Sequence, residues 1–143
     1  MTPPCSTRAE PVARVDVRSD ADVCTVRQKG REIARDLGFS ATDLALIATA
    51  ISELARNIIR YAGHGEVKLA VERNGLFSGL VVIASDDGPG ILDVTKALRD
   101  GVSTSGSFGL GLSGVRHLMD DFQIDSSVDK GTVVTAKKWR RTA

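Results

Sequence analysis

A helix with one apolar face is the feature that most constrains the fold of this chain. Seven apolar residues between positions 44 and 58 recur at the helical period of about 100° per residue. They are Leu44, Ile47, Ala48, Ile51, Leu54, Ala55 and Ile58. Glu53 and Asn57 are four residues apart, which makes them stacked neighbours on the opposite side. An acid and an amide one turn apart on an anchored helix can hold a divalent cation and a polar substrate. The alternative is a solvated helix face.

The composition is that of a single ordinary domain and argues against a nucleic-acid or membrane partner. The chain has 143 residues, 42% of them hydrophobic, and a formal net charge of +1. This balance argues against nucleic acid as the main partner, because phosphate binding needs a basic surplus. No apolar run approaches the ~18 residues that suggest a membrane span. The N-terminus also lacks the residue order of a signal peptide. We therefore expect a cytoplasmic protein without a membrane partner.

The first half of the chain predicts a short strand followed by two helices. Residues 1–11 contain three prolines and are predicted to form a disordered leader, so that a single domain spans 12–143. Ser19 or Asp20 is predicted to cap the first helix, and Ser40 the second.

The second half predicts four strands that flank a polar loop. A turn at Asn74-Gly75 separates two strands, of which the second, with the run LVVIA, reads as a central strand. A short helix at about 93–99, a mobile loop at 100–108, a helix at 110–119 and a closing hairpin follow. This order indicates an α/β two-layer sandwich, with a mixed β-sheet and helices on one face.

Asp86 directly follows the apolar strand and begins an Asp-x-Gly-x-Gly pattern with Gly88 and Gly90. A carboxylate at the end of a strand can accept a hydrogen bond from an exocyclic amine, and glycines let the backbone approach a ring closely. An Asx turn uses the same residue types. The pattern alone is compatible with either interpretation.

The glycines at 109, 111 and 114 satisfy the Gly-x-Gly-x-x-Gly pattern, but no apolar strand precedes them. A dinucleotide-binding fold requires that strand, so this interpretation fails. No Gly-x-x-x-x-Gly-Lys-Ser/Thr sequence occurs, which excludes a Walker A loop. What remains is either a flexible loop that leads to a phosphate-binding helix N-terminus, or a plain loop and helix cap.

Four motifs occur in the order and approximate spacing of the N, G1, G2 and closing boxes of the GHKL ATPase superfamily. They are Glu53-x-x-x-Asn57, Asp86-x-Gly88-x-Gly90, Gly106-x-x-Gly109-x-Gly111 and Gly131-Thr132. The chain most resembles the small anti-sigma-factor and serine-kinase branch, through Ala48 to Ile58, Ser85 to Ile91, DGVSTSG, and Leu118 to Phe122. The resemblance covers essentially everything after residue 11.

The resemblance implies a Bergerat ATP-binding fold with ATP and Mg²⁺. Carried over by position, Asn57 would ligate the metal, and Glu53 would act as base or aligner toward the acceptor hydroxyl. Asp86 would receive the adenine amine, with support from Thr132 through water. A lid from about 101 to 111 would close over the phosphates. The remaining implied nucleotide-binding positions are Gly88, Gly90, Ile91, Gly106, Gly109, Leu110 and Gly111.

The resemblance also implies a protein serine/threonine kinase of a partner-switching stress-response module, the stressosome. The substrates of this kinase would be Ser or Thr residues of STAS-domain antagonist proteins. A PP2C-type phosphatase and a sigma factor are further candidate partners. The alternative is a nucleotide-gated anti-sigma or regulatory binding protein with little or no kinase activity. Retention of Glu53 favours the kinase, because a pure binder has no need for an acid beside the metal-ligating amide.

Overall fold

A five-stranded sheet with helices packed on one face forms the described part of the chain. A computed structural model describes residues 10–90 and 111–141. The strands are β1 (Glu10–Val17), β2 (Gly65–Asn74), β3 (Phe77–Asp86), β4 (Asp121–Ser127) and β5 (Gly131–Arg141), and the helices are α1 (Asp20–Asp36), α2 (Ala41–Ala62) and α3 (Gly111–Leu118). The strand order is β1-β2-β3-β5-β4, so the apolar strand β3 is central, as predicted.

Every hydrogen-bonded strand pair within the described ranges is antiparallel, so the prediction of a mixed sheet is wrong. Helices α1 and α2 return the chain to the end of the sheet that it left, because Val17 pairs with Gly65. Strands β3 and β4 run in the same direction, but β5 lies between them and is antiparallel to both. The sequence pattern predicts strands but not their neighbours, and the prediction therefore missed this insertion.

The apolar stripe of α2 lies at the centre of the core, as predicted. All seven of its residues are buried. Ile51 and Leu54 belong to one cluster with Leu69 of β2 and with Leu80 and Val82 of β3. Full burial of one such side chain contributes about 1.5–3 kcal/mol. The stripe therefore fixes both the height and the rotation of α2 over the sheet.

Several predicted boundaries shift or fall outside the described residues. Strand β1 begins at Glu10, inside the predicted leader. Its pairing register with β2 shifts between Pro11 and Ala13, because a proline has no N–H to donate to the neighbouring strand. The predicted turn at Asn74-Gly75 is confirmed, since Asn74 pairs with Phe77. The segments outside the described residues include residues 1–9, the predicted helix at 93–99 and the predicted loop at 100–108. In the described ranges, no helix is long and apolar enough to cross a bilayer.

The two predicted helix caps differ in the structure. The Oγ of Ser40 accepts a hydrogen bond from the backbone N–H of Asp43 at 3.2 Å, which confirms the cap of α2. Ser19 occupies the N-cap position of α1 but makes no side-chain cap bond. Instead, the carboxylate of Asp22 accepts from the backbone N–H of Arg18 at 2.9 Å. Of these two helices, α2 is thus the one whose N-cap side chain satisfies an orphan helix N–H.

We expect Ser40→Ala to lower the free energy of unfolding by about 1 kcal/mol, because it removes the side-chain cap of α2. Ser19→Ala is the matched control and should cost roughly half a kcal/mol or less, as an ordinary surface change does. Urea unfolding followed by circular dichroism measures both variants. Equal losses of unfolding free energy in the two variants would contradict the conclusion that Ser40 caps its helix and Ser19 does not.

Candidate functional site

A cleft opens between the C-terminal half of α2 and the end of β3. It is lined by Leu54, Asn57, Ile58, Tyr61, Ala84, Asp86, Pro89, Gly90, Leu112, Thr132 and Val134. Most of these side chains are apolar, and the polar residues among them are Asn57, Tyr61, Asp86 and Thr132. An apolar cleft with a few convergent polar groups is typical of a small-molecule site, in which the polar groups fix the ligand's orientation.

The carboxylate of Asp86 is held in place by its own loop. Its Oδ1 accepts a hydrogen bond from the backbone N–H of Gly88 at 2.8 Å, which is the Asx-turn geometry. Thr132 lies directly opposite Asp86 in the β3–β5 ladder, and its hydroxyl is 2.8 Å from that of Ser126. The Asx turn therefore forms, and it fixes the orientation of a carboxylate that lines the cleft.

The loop after β3 and the turn between β4 and β5 pack backbone against backbone. Gly90 has φ +80°, and a Cβ built on it would lie 2.1 Å from the carbonyl oxygen of Ser127. Gly131 has φ +85°, and its Cβ would lie 2.0 Å from the carbonyl oxygen of Asp86. Distances this short leave no room for a side chain, so both positions require glycine. The two loops therefore hold each other and the Asp86 carboxylate in position.

The last turns of α2 pack against the same loop. A Cβ on Gly88 would lie 2.6 Å from the Cβ of Ala62. A Cβ on Gly65 would lie 2.7 Å from the Cγ2 of Ile58 and 2.4 Å from the carbonyl oxygen of Ser85. Close contact at these glycines brings the helix within reach of the strand end. This contact fixes the distance between the polar groups of α2 and Asp86.

Asn57 and Glu53 take different environments on α2. Asn57 lines the cleft, and its Oδ1 accepts a long hydrogen bond from Arg60 Nη1 at 3.4 Å. Glu53 is buried, with 6% of its surface exposed, and Arg56 Nη1 donates to its Oε1 at 3.1 Å. The alternative of a solvated helix face is therefore wrong for Glu53. The physical reason is that α2 packs against α1 and α3 as well as the sheet, so more than one of its sides is covered.

The donor set fits a metal only together with an anionic ligand. Within residues 10–90 and 111–141, no group of three or more His, Cys, Asp or Glu side chains could hold a metal ion. Mg²⁺ prefers six oxygen ligands in octahedral geometry, and Asn57 offers one amide oxygen at the cleft. Phosphate oxygens and water can supply the remaining positions. The residues present therefore fit a metal that arrives with a phosphorylated ligand.

The remaining predicted positions divide into described and undescribed ones. Gly111 begins α3 with φ +67°, and the next residue, Leu112, lines the cleft. The N-terminus of α3 therefore lies beside the cleft, and its role in phosphate binding stays a prediction. Ile91, Gly106, Gly109 and Leu110 lie outside the described residues, and their roles stay predictions.

Tyr61, which is 44% exposed, also lines the cleft, although none of the sequence motifs includes it. Tyr61 follows Asn57 by four residues, so helical spacing places it on the same side of α2. That spacing was the available signal. The apolar lining from Leu54 and Ile58 was assigned to the core, but the cleft shows that the end of the core stripe also forms a wall of the site.

Comparison with known proteins identifies the family. The model of the histidine kinase-like ATPase domain matches residues 18–138. The chain belongs to this family. Serine/threonine-protein kinase RsbT of Bacillus subtilis is 47% identical over 127 residues, which cover 89% of this chain and 96% of RsbT. An anti-sigma F factor of Caldanaerobacter subterraneus subsp. tengcongensis is 29% identical over 110 residues, which cover 74% of this chain and 77% of that protein. The predicted resemblance is confirmed.

Two solved structures share the fold of this histidine kinase-like ATPase domain. The RsbU and RsbW domains of a Mycobacterium tuberculosis protein match with a TM-score of 0.56 and 22% identity, over 92% of this chain and 33% of that one. The catalytic domain of histidine kinase ThkA matches with a TM-score of 0.50 and 19% identity, over 89% of this chain and 95% of that one. The cleft therefore lies in an ATPase-type domain.

We expect Gly131→Ala to destabilise this ATPase domain far more than Gly75→Ala. Both glycines have positive φ, so each substitution costs roughly 1–2 kcal/mol of backbone strain. A Cβ at Gly75 meets nothing within 4 Å, whereas one at Gly131 meets the backbone of Asp86, which should add about 1–3 kcal/mol. Urea unfolding measures the difference. Equal stabilities would show that the contact with Asp86 yields without cost.

Proposed function

We propose that this histidine kinase-like ATPase domain is a protein serine/threonine kinase, which transfers the γ-phosphoryl group of ATP to a hydroxyl of a regulatory protein. The observation that carries the proposal is the 47% identity to a serine/threonine-protein kinase along nearly its whole length. The geometry supports it, because α2 places a buried acid one turn from a cleft-lining amide.

The cleft suits the adenine of ATP. Asp86 Oδ2 would accept a hydrogen bond from the exocyclic amine, and Thr132, its cross-strand neighbour, would support this contact through water. Leu54, Ile58 and Val134 offer apolar surface to the ring. Gly88 and Gly90 would keep the backbone clear of the nucleotide. A fixed carboxylate at the end of an apolar cleft distinguishes a base that carries an amine from one that carries a carbonyl.

Transfer would use the two polar residues of α2. Mg²⁺, bound with the nucleotide, would neutralise the charge on the phosphates, and Asn57 would be its protein ligand. Glu53 would take the proton of the acceptor hydroxyl while the hydroxyl oxygen bonds to the γ-phosphorus. The bond from that phosphorus to the β-phosphate oxygen breaks, and its electron pair leaves with ADP. The protein mainly positions the reactants and supplies complementary charge.

The proposed substrates are Ser or Thr residues of STAS-domain antagonist proteins in a cytoplasmic partner-switching module of the stress response. A PP2C-type phosphatase, activated by binding, and a sigma factor are the further proposed partners.

The second candidate function is a nucleotide-gated binding protein with little kinase activity. The similarity to anti-sigma F factors favours this candidate. The two candidates share the nucleotide site and differ in whether Glu53 performs chemistry.

A phosphorylation assay separates the two functions. The purified chain would be incubated with ATP, Mg²⁺ and a STAS-domain protein of the same organism, and the products weighed by mass spectrometry. A kinase adds the mass of one phosphoryl group to the STAS protein. A stable ATP-dependent complex without that mass change would support the binding protein instead.

We expect Asp86→Asn to weaken ATP binding by about 1–3 kcal/mol, because it turns an amide donor toward the donor amine of adenine. The Asn oxygen can still accept from Gly88, so the loop is retained. Asp87→Asn, at the exposed neighbour, is the matched control and should bind ATP normally. Calorimetry with ATP and GTP measures these affinities. Equal binding of ATP and GTP by the unchanged protein would refute the role of Asp86.

A second pair of variants separates the metal ligand from the base. Asn57→Ala should lose the magnesium-dependent part of nucleotide affinity, whereas Glu53→Gln should bind ATP normally and lose at least about 100-fold in transfer rate, as expected for a removed general base. Titration with and without Mg²⁺, together with the phosphorylation assay, tests both variants. A wild-type transfer rate in Glu53→Gln would rule out the base.

A further inference from the structure

Arg56 forms an ion pair with the residue that we propose as the base. Its Nη1 lies 3.1 Å from Oε1 of Glu53, and the two residues are three apart on α2, so the helix itself places them together. The side chain of Glu53 is 8% exposed and that of Arg56 is 46% exposed. The pair thus joins a nearly buried carboxylate to a guanidinium group that reaches solvent.

A nearly buried carboxylate needs a compensating partner, because an unpaired charge is strongly disfavoured away from water. Among the described residues, Arg56 is the group that hydrogen-bonds Glu53. A pair between two exposed residues contributes little, since solvent screens it and both side chains lose freedom. Here one partner is already confined by burial. The main consequence of the pair is therefore the orientation and charge of the Glu53 carboxylate.

We propose that Arg56 is a positioning residue that fixes the Glu53 carboxylate for proton transfer, an inference that rests on the proposed kinase function. Arg56 holds Oε1, which assigns Oε2 to the acceptor hydroxyl. The proton passes from that hydroxyl to Oε2 as its oxygen bonds to the γ-phosphorus and the bond to the β-phosphate breaks. Arg56 keeps its hydrogen bond to Oε1 throughout and exchanges no proton.

The effect of losing Arg56 should fall on the catalytic rate and spare nucleotide binding. Small misplacement of a catalytic group can reduce a rate about 100-fold, because the reacting atoms no longer meet in line. The adenine contacts depend on Asp86 and on the loop after β3, whose glycine contacts do not involve Arg56. A residue that only supported the fold would instead change both properties together with stability.

The test compares Arg56→Gln, Arg56→Lys, Glu53→Gln and the double variant Arg56→Gln/Glu53→Gln with the unchanged chain. Arg27→Gln is the matched control, because Arg27 contacts a side chain three residues earlier, Cys24, at 3.6 Å on α1. The STAS-domain protein used in the phosphorylation assay serves as the acceptor. The measurements are kcat, KM for the acceptor, Kd for ATP, and the thermal midpoint of each variant.

We expect Arg56→Gln to lower kcat about 10- to 100-fold, with Kd for ATP and the thermal midpoint matching those of Arg27→Gln. Arg56→Lys should restore part of the rate, because it returns the charge without the planar fork. The double variant should be no slower than Glu53→Gln alone, because Arg56 acts through Glu53 and two residues that act as a unit are non-additive.

The possible failures are distinguishable. A normal kcat in Arg56→Gln beside an inactive Glu53→Gln would overturn the positioning role and leave the kinase function standing. A raised acceptor KM at unchanged kcat would also overturn it, and would make Arg56 a docking contact for the partner. A double variant slower than Glu53→Gln would show that Arg56 acts independently of Glu53. No transfer by the unchanged chain would overturn the kinase function and, with it, this inference.

Discussion

The burial of one helix face against the sheet is the interaction on which the rest of this structure depends. Ile47, Ile51 and Leu54 are almost fully buried over the central strands. Because these residues share α2 with the cleft-lining Asn57, the packing that stabilises the fold also sets the position of the site. A rotation of α2 by one residue would turn the helix by about 100° and move Asn57 out of the cleft. Core packing and site geometry are therefore one constraint.

Close backbone contact is the second constraint, and it acts at the other side of the cleft. Gly90 and Gly131 bring the loop after β3 against the turn between β4 and β5, at distances that admit no side chain. A hydrogen bond from the N–H of Asp129 to the carbonyl of Pro89, at 2.8 Å, joins the same segments. Asp86 is therefore held by its neighbours before any ligand binds. This preorganisation reduces the ordering that a nucleotide would otherwise require.

The electrostatics of the site are sparse. The described residues offer the proposed metal one amide oxygen, from Asn57, and the proposed base is already paired with Arg56. A site with so little fixed negative charge binds a free cation poorly, and a nucleotide that brings its own phosphates supplies what is missing. Under the proposed function, metal binding would therefore be coupled to nucleotide binding. In the proposed mechanism, transfer would depend on the orientation of Glu53 rather than on a cluster of acids.

The sequence by itself determined the described helices and strands and several of the residues that meet at the cleft. The apolar period defined α2 and its buried face, and the Ser40 cap and the Asn74-Gly75 turn marked boundaries. The four glycine and polar motifs identified the family. They also include Asn57, Asp86 and Thr132, which the fold brings to one cleft. These features are local, because each depends on spacing along one segment. Only the tertiary structure decided that β5 inserts between β3 and β4, that Glu53 is buried and paired with Arg56, and that Tyr61 lines the cleft. Strand neighbours and the covering of a helix side arise from contacts between distant segments, and hydrophobic periodicity along one segment does not encode them.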